Sequence, residues 1–500
     1  MIHNQFLSLL QIRELEQKYQ KLNLVDIAGE SIAKWVNSNF DINNKILIVI
    51  GSGNNGCDGV VAAILLKQLG YTITIVKALK STNKLGQKLL LQFKKLRGQI
   101  LVNLPLELNK YDVIIDGIFG IGIIDKLNPS VVKLIQRINL SNAMKVSLDT
   151  PSGLNPFTGE IIGSAIKAHY TLTFLSDKPG FYTGKAIDNV GKIIVFPLVG
   201  ELKVNKIEND ALPVLLNSLE NINYQQLKRT IQDTNKSSFG TIAIVGGCNG
   251  MVGALYLAGR AALLNGAGKV VLVSPDSDLN VNLVIPELMH SSTKNFLKNL
   301  DLYDVIVIGP GLGCDDKASK FLTKIIKLRP TCKLIFDADA LNLLAMNPEL
   351  LAQFKHLTNK AITPHPGEAS RLLNVETLKI QNNRFLALTN LANKLNAYTL
   401  LKGAGSLLLG NNQVYINTTG NSALSTAGSG DTLCGIIAAF AAQGMHLFDA
   451  LRFAVYIHGK SAEKLVIDKK GYNGILASDI ADATAVILNS LLYFDFELAC

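Results

Sequence analysis

From Lys45 onward, short runs rich in isoleucine and valine alternate with stretches whose apolar residues recur at helical spacing. They read KILIVI, GVVAAILLKQLG, TITIVKA, LGQKLLLQFKKL, DVIIDGIFG, VVKLIQRINL, KVSLDTPSG, YTLTFL and KIIVFP. Strands that are apolar at every position, not at every second one, are buried on both faces. Their alternation with helices predicts a parallel sheet covered on both sides. The pattern lapses near Gly200, and residues 203–237 are rich in Asn, Lys and Gln with isolated leucines. It restarts at Phe239 with TIAIVGG, KVVLVSP, DVIVIGPGLG, KLIFDADALNLL, KAITPHPGE and YTLLKGAG, and from Asp431 it reads as mostly helical. The expected organisation is two α/β domains, residues 1–205 and 238–500, joined by a connector at 206–237. The opening MIHNQFLSLLQIRELEQKYQKL contains Glu14 and Glu16 and lacks a cleavable apolar core, so it predicts an amphipathic surface helix and not a secretion signal.

Length agrees, since 500 residues exceed what one core organises. No run approaches the roughly eighteen uncharged apolar residues of a membrane span, so no membrane association is expected. Six scattered cysteines have neither metal-ligand pairing nor the density of a disulfide scaffold, which predicts a reducing, cytoplasmic setting without structural zinc. The formal charge of +10 is spread over single and paired lysines with no basic tract interleaved with aromatics. It predicts a cationic surface or anionic substrates, and no nucleic-acid partner.

Candidate chemistry lies at the strand-to-helix junctions. Gly51, Gly53 and Gly56 satisfy G-x-G-x-x-G, but a dinucleotide fold also needs an acid about twenty residues on, and the next strand ends VKALK. The loop is instead dense in polar side chains: Asn54, Asn55 and Asp58. Two later strand ends offer Asp116, and Asp149 with Ser152. Each alone reads equally as a loop cap; together, Asn55, Asp116 and Ser152 form a set of hard oxygen ligands for a cation. In the second half, GSGD (Gly428 to Asp431) opens a helix with Asp431 as its expected first residue. Such a junction binds phosphate through backbone N–H groups and the helix dipole, and an acid there can serve as base for a hydroxyl attacking phosphorus. Lys402 could contact phosphate as a point charge or be an exposed strand-end lysine. GPGLG (Gly309 to Gly313), DADALN (Asp337 to Asn342) and HPGE (His365 to Glu368) also close strands, and each alone reads as a tight turn.

IGSGNNGCDG, DGIFGIG, LDTPSGL and TLTFLSDKPGF resemble the N-terminal, epimerase domain of the bifunctional NAD(P)H-hydrate repair enzymes. Two departures are Cys57, where the family has glycine, and His169, where it usually has Asp. The resemblance implies that Asn54, Asn55, Gly56, Cys57 and Asp58, the run Gly120, Ile121, Gly122, Ile123, Ile124, Asp125 and Lys126, and Asp149 contact the hydrated nucleotide. It implies that Asn55, Asp116 and Ser152 hold a potassium ion, with Asp149 the candidate for proton transfer. The ordered series GGCNGMVGA, GPGLG, DADALN, TPHPGE, LLKGAG and AGSGD resembles the dehydratase domain of the same enzymes, a ribokinase-like fold. Its departures are TNKSSFG, for a His-Lys-Gly entrance, and AGSGD itself. Ala254, Gly313, His365 and Asp431 are then expected to face the hydrate, with Asp431 catalytic. Lys402, Gly403, Ala404, Gly405, Ser406 and Gly430 are expected to face ADP or ATP, accompanied by magnesium. The expected fold class is therefore α/β with a Rossmann-like N-terminal and a ribokinase-like C-terminal domain. The expected function is repair of hydrated NADH and NADPH by a homo-oligomer. The rivals are a small-molecule kinase of the same superfamily and a non-catalytic scaffold.

Overall fold

A computed structural model describes residues 6–79, 81–122, 126–199, 213–276 and 285–494. The chain divides into two compact units, Met1–Ala211 and Leu212–Cys500.

Among the described residues the first unit holds a seven-stranded sheet of β1 (Lys45–Ile50), β2 (Thr72–Lys77), β3 (Gln99–Leu101), β4 (Val113–Gly117), β5 (Met144–Leu148), β6 (Tyr170–Phe174) and β7 (Lys192–Phe196). The order is β3-β2-β1-β4-β5-β6-β7, with every pair parallel. The unbroken apolar run of β1 is explained by its two covered faces. Ile46, Ile48 and Ile50 enter one core with Ile32 and Val36 of the helix Leu24–Asn39 and Val60 and Ala63 of the helix Asn54–Gln68. Leu47 and Val49 enter the other with Val131, Ile135 and Ile138 of the helix Pro129–Asn139. Each such buried Ile or Val contributes roughly 1.5–3 kcal/mol. The N-terminal stretch folds as the expected amphipathic helix, Leu9–Lys18, started by a reciprocal cap between Ser8 and Gln11. Its stripe of Ile12 and Leu15 is buried with Leu7, Ile121 and Leu175, which docks the helix onto the loops that follow β4 and β6.

The second unit holds β8 (Val214–Leu216), β9 (Thr241–Val245), β10 (Lys269–Val273), β11 (Met289–His290), β12 (Val305–Ile308), β13 (Lys333–Phe336), β14 (Lys360–Ile362), β15 (Tyr398–Leu401), β16 (Ser406–Gly410) and β17 (Gln413–Asn417). Their order is β11-β10-β9-β12-β13-β14-β15-β16-β17-β8. The pairs are parallel except β15 with β16 and β16 with β17. The stretch expected as a connector differs from Pro213 onward. It adds β8 to the sheet edge beside β17 and buries Ile222 and Leu227 in the core beneath the helices Ser429–Ala442 and Leu447–Asp468. Asn217 fixes this edge, donating to the Asn417 side chain (3.2 Å) and to the Arg452 carbonyl (2.9 Å). Its isolated leucines are therefore core contacts.

In both sheets the direction of strand addition reverses at a central pair, β1 beside β4 and β9 beside β12. Ligands of open α/β sheets bind at such a switch point, beyond the carboxyl ends of the strands.

Candidate active sites

At the first switch point two loops touch. A Cβ on Gly51 would lie 1.9 Å from the Ile118 carbonyl oxygen, so glycine is needed for the backbone after β1 to pass the backbone after β4. The helix Asn54–Gln68 then begins at Gly53 with no side chain capping its first N–H groups. These elements, the loop Phe119–Gly122, Asp149 and the two N-terminal helices enclose a cavity of about 710 Å³.

Asp149 stands in the left-handed region (φ 61°) directly after β5, which turns its carboxylate across the strand ends. Its Oδ2 accepts from the Ile121 N–H at 3.1 Å, and its Oδ1 accepts from the Lys178 ammonium at 2.8 Å. Lys178 is fully buried and also donates to Thr173 Oγ1 (2.5 Å) and the Phe174 carbonyl (2.9 Å). Asp58 lines the same cavity, is buried, and has no hydrogen bond or ion pair among the described residues. Burial, with the charges of Asp149 and Glu16 added, holds its carboxyl well above the usual range.

Asn55 and Asp116 contrast. Asn55 Nδ2 donates to the Leu148 carbonyl (3.0 Å), while its buried Oδ1 has no partner. Asp116 accepts at one oxygen from Ser152 Oγ (2.6 Å) and Ile118 N–H (3.2 Å), and at the other from Ser152 N–H (2.8 Å) and Ser147 Oγ (2.9 Å). Its lone-pair directions are thus filled by protein donors, and those bonds offset part of the burial that raises its pKa. Ser152 is bound to Asp116 and turned away from free duty. Gly56 and Cys57 are absent from the cavity wall. Cys57 points the other way, donating its thiol to Asn83 Oδ1 (3.3 Å) in space left beside Gly86, so the side chain added to the loop does not obstruct the site. His169 lies away from it, accepting from the Lys145 N–H. Ile123, Ile124 and Asp125 fall outside the described residues, and Lys126 is absent from the cavity wall. Arg13, Glu16, Gln20 and Asn23, none of them marked from the sequence as site residues, line the wall.

The second site repeats the first in outline. A Cβ on Gly246 would lie 1.9 Å from the Pro310 carbonyl, and Cys248 N–H donates to Gly311 O (2.6 Å), joining the loops after β9 and β12. Ala254 and Gly313 flank this junction. Gly313 N–H is held by Asp339 (2.9 Å). Opposite, Gly428 (φ 86°) breaks the chain direction and the helix Ser429–Ala442 starts after it, which makes Asp431 its third residue and not its first. No side chain caps this helix; the Ser429 N–H donates to the Thr426 carbonyl (3.3 Å), and those of Gly430 and Asp431 are open to an anion.

Lys402 is not an open phosphate contact in this structure: its ammonium pairs with Asp337 Oδ1 at 2.6 Å. Asp337 also accepts from the Cys434 thiol (3.1 Å), and a Cβ on Gly430 would stand 3.4 Å from Lys402 Nζ. Burial alone would lower the Lys402 pKa, but Asp337 and Glu368 beside it raise it. Burial, then Asp337, pushes Asp431 up to about 6 against the opposing pull of Lys402. The Gly403–Ser406 loop is carried by buried Arg384, which donates to the Leu401 and Lys402 carbonyls at 3.2 Å each. His365 caps the helix Pro366–Leu373 and contacts Glu368 (3.2 Å); burial raises the Glu368 pKa, but His365 and Lys402 outweigh it and hold the carboxyl low. The sequence marks Asp337 only as the start of the DADALN turn and does not mark Arg384, because their partners lie elsewhere in the chain.

Residues 242–485 match the family described as NAD(P)H-hydrate dehydratase, and residues 21–180 that described as YjeF-related protein N-terminus. The chain is 34% identical to the bifunctional NAD(P)H-hydrate repair enzyme Nnr of Coxiella burnetii, covering 96% of this chain and 98% of that one. It is 33% identical to the Nnr of Vibrio cholerae, with 95% of each covered. The structure of ADP/ATP-dependent NAD(P)H-hydrate dehydratase from Bacillus subtilis, co-crystallised with ATP/Mg2+, is 28% identical with a TM-score of 0.46, covering 54% of this chain and 96% of that chain.

Proposed function

The chain belongs to the bifunctional NAD(P)H-hydrate repair enzymes, and from that premise we propose how its two sites divide the work. The enzyme repairs NADH and NADPH hydrated on the nicotinamide ring. One activity interconverts the R and S hydrates, and the other dehydrates the S form with ADP or ATP.

Dehydration is assigned to the second unit, and Asp431 in an uncapped first helical turn carries the assignment. Its carboxylate takes the proton of the ring hydroxyl as that oxygen attacks the terminal phosphorus and the nucleotide leaves one phosphate shorter; the carbon–oxygen bond then breaks with release of phosphate, the ring nitrogen's electron pair stabilises the cation, and a proton lost from the adjacent ring carbon to solvent restores the double bond. The open N–H groups of Gly430 and Asp431 stabilise charge on the transferring phosphoryl. Lys402 and Asp337 set the field around Asp431, and the Lys402–Ser406 loop with Gly430 forms the nucleotide side. Among the described residues no cluster of three His, Cys, Asp or Glu side chains could hold a metal. Magnesium would enter as an ion carried by nucleotide phosphates, as it commonly is, and would supply charge neutralisation. The test is conversion of S hydrate with ADP and with ATP, read as returning reduced-nicotinamide absorbance. No return with either nucleotide overturns the assignment.

Epimerisation is assigned to the cavity of the first unit. Potassium fits at Asn55, whose orphaned Oδ1 is a hard acceptor without a donor, better than as a direct ligand of Asp116, whose oxygens are engaged. Ser152 then serves to orient Asp116. The ion would supply a fixed positive charge beside the substrate. Epimerisation is expected to rise with added potassium and to lose that response in Asn55→Leu. An equal rate in potassium-free buffer would remove the ion from the reading. The five described cysteines are free thiols, which supports a cytoplasmic setting.

A further inference from the structure

We propose that epimerisation is carried by two carboxyls in the cavity of the first unit, Asp149 as base and Asp58 as acid, with Lys178 the positioning residue that assigns those roles. The proposal rests on the reading of this unit as the epimerase.

The geometry is asymmetric. Asp149 holds the Lys178 ammonium at 2.8 Å, and Lys178 is wholly buried with its remaining donors committed to Thr173 and the Phe174 carbonyl. A buried ammonium is stable only with an acceptor of opposite charge beside it, and Asp149 is the carboxyl placed to serve. Asp58 is 8% exposed, lines the same cavity and receives no donor among the described residues. The charged groups that face it are Asp149 from the end of β5 and Glu16 from the N-terminal helix. Arg13, the cation of that helix in the wall, is committed to Glu16 at 2.9 Å. With anions around it and no cation paired to it, Asp58 holds its proton. Two carboxyls whose surroundings push them apart are the mark of an acid and base pair.

The carbon to be inverted carries a hydroxyl and the ring nitrogen. Asp149 removes the hydroxyl proton; the carbon–nitrogen bond breaks as the carbonyl forms, its electron pair goes to nitrogen, and nitrogen takes the proton of Asp58. The opened aldehyde turns about its single bond and presents its other face. Nitrogen then returns its proton to Asp58 and attacks the carbonyl carbon, and the new alkoxide recovers the proton held by Asp149. No electrons are gained or lost and no co-reactant is needed.

The experiment follows interconversion of purified R and S hydrates by the full chain without nucleotide, resolved by chromatography. Dehydration of S hydrate with ADP, measured in parallel, reports folding. If the unsubstituted chain does not speed interconversion, the epimerase reading itself fails. If it does, Asp58→Asn is expected to lower kcat about a hundred- to ten-thousand-fold with KM little changed. Lys178→Met is expected to lower kcat and to move the rising, acid limb of the pH profile upward by about one to three units, because a carboxylate without its cation takes up protons more readily. Lys178→Arg should return the limb toward its original position. An unchanged kcat in Asp58→Asn overturns the proposal. So does a Lys178→Met protein that is slower with its pH limb unmoved, which would make Lys178 merely structural. Should Lys178→Met not fold, Asp58→Asn and Lys178→Arg decide the matter alone.

Discussion

At Asp431 two effects oppose each other. The N-terminus of the helix Ser429–Ala442 favours a negative charge, while burial and the neighbouring Asp337 disfavour it, and the balance lies at about 6. The sequence motif alone suggested a freely ionised acid; it could not reveal Asp337, whose strand end is brought in by the sheet. The consequence is testable. Only the ionised form accepts a proton, so S-hydrate dehydration should rise as pH passes upward through about 6 and level off above neutrality. Asp431→Asn should abolish that dependence and lower turnover about a hundred- to ten-thousand-fold, with nucleotide binding by calorimetry retained. Near-normal turnover would remove the residue from the chemistry. Short motifs at strand ends mark Asp431, Asp149 and Asn55 as candidates. The same motifs contain Lys178 and Asp337, but their pairing with partners 29 and 65 residues distant could not be read from them.

Elements with a strong pattern were readable in advance, and those defined by a partner were not. KILIVI is β1 residue for residue, and TIAIV is β9, because a strand buried on both faces announces itself. The hairpin of β16 and β17 was missed, although Asn411 and Asn412, at φ 51° and 57°, are the residue type a primed turn takes. The edge strand β8 was hidden in a polar stretch whose few leucines looked incidental. Its packing gives an expectation about boundaries. A chain beginning at Ser238 lacks β8, Ile222 and Leu227, whereas one beginning at Pro213 keeps them. The shorter chain exposes the edge of β17 and part of the core, each lost large side chain costing about 2–5 kcal/mol. Thermal unfolding should place it several degrees below the longer chain, with dehydration retained by the longer one. Equal midpoints would show that the stretch only touches the sheet. At the other terminus, removing residues 1–20 takes away Ile12, Arg13, Glu16 and Gln20 from the cavity wall, so epimerisation should fall while dehydration of S hydrate continues.

Over the whole molecule, each unit has its own sheet, its own core and its own candidate site at its own switch point. The two chemistries share an intermediate, the S hydrate, that is a small diffusible molecule. Fusion then guarantees that both activities are made together without requiring that one site complete the other. This division makes a complementation experiment decisive. A chain carrying Asp58→Asn should consume S hydrate with ADP but draw on R hydrate only at the uncatalysed rate of inversion. A chain carrying Asp431→Asn should equilibrate the two hydrates and consume neither. Mixed in equal amounts and supplied with R hydrate and ADP, they should together restore reduced nicotinamide at a rate approaching that of an equal amount of unsubstituted active sites, since S hydrate released by one chain is captured by the other. The measurement is the return of reduced-nicotinamide absorbance, set against each variant alone. A mixture no faster than the Asp58→Asn chain by itself would mean that S hydrate does not reach the second site through solution, and the independence argued for the two units would fail.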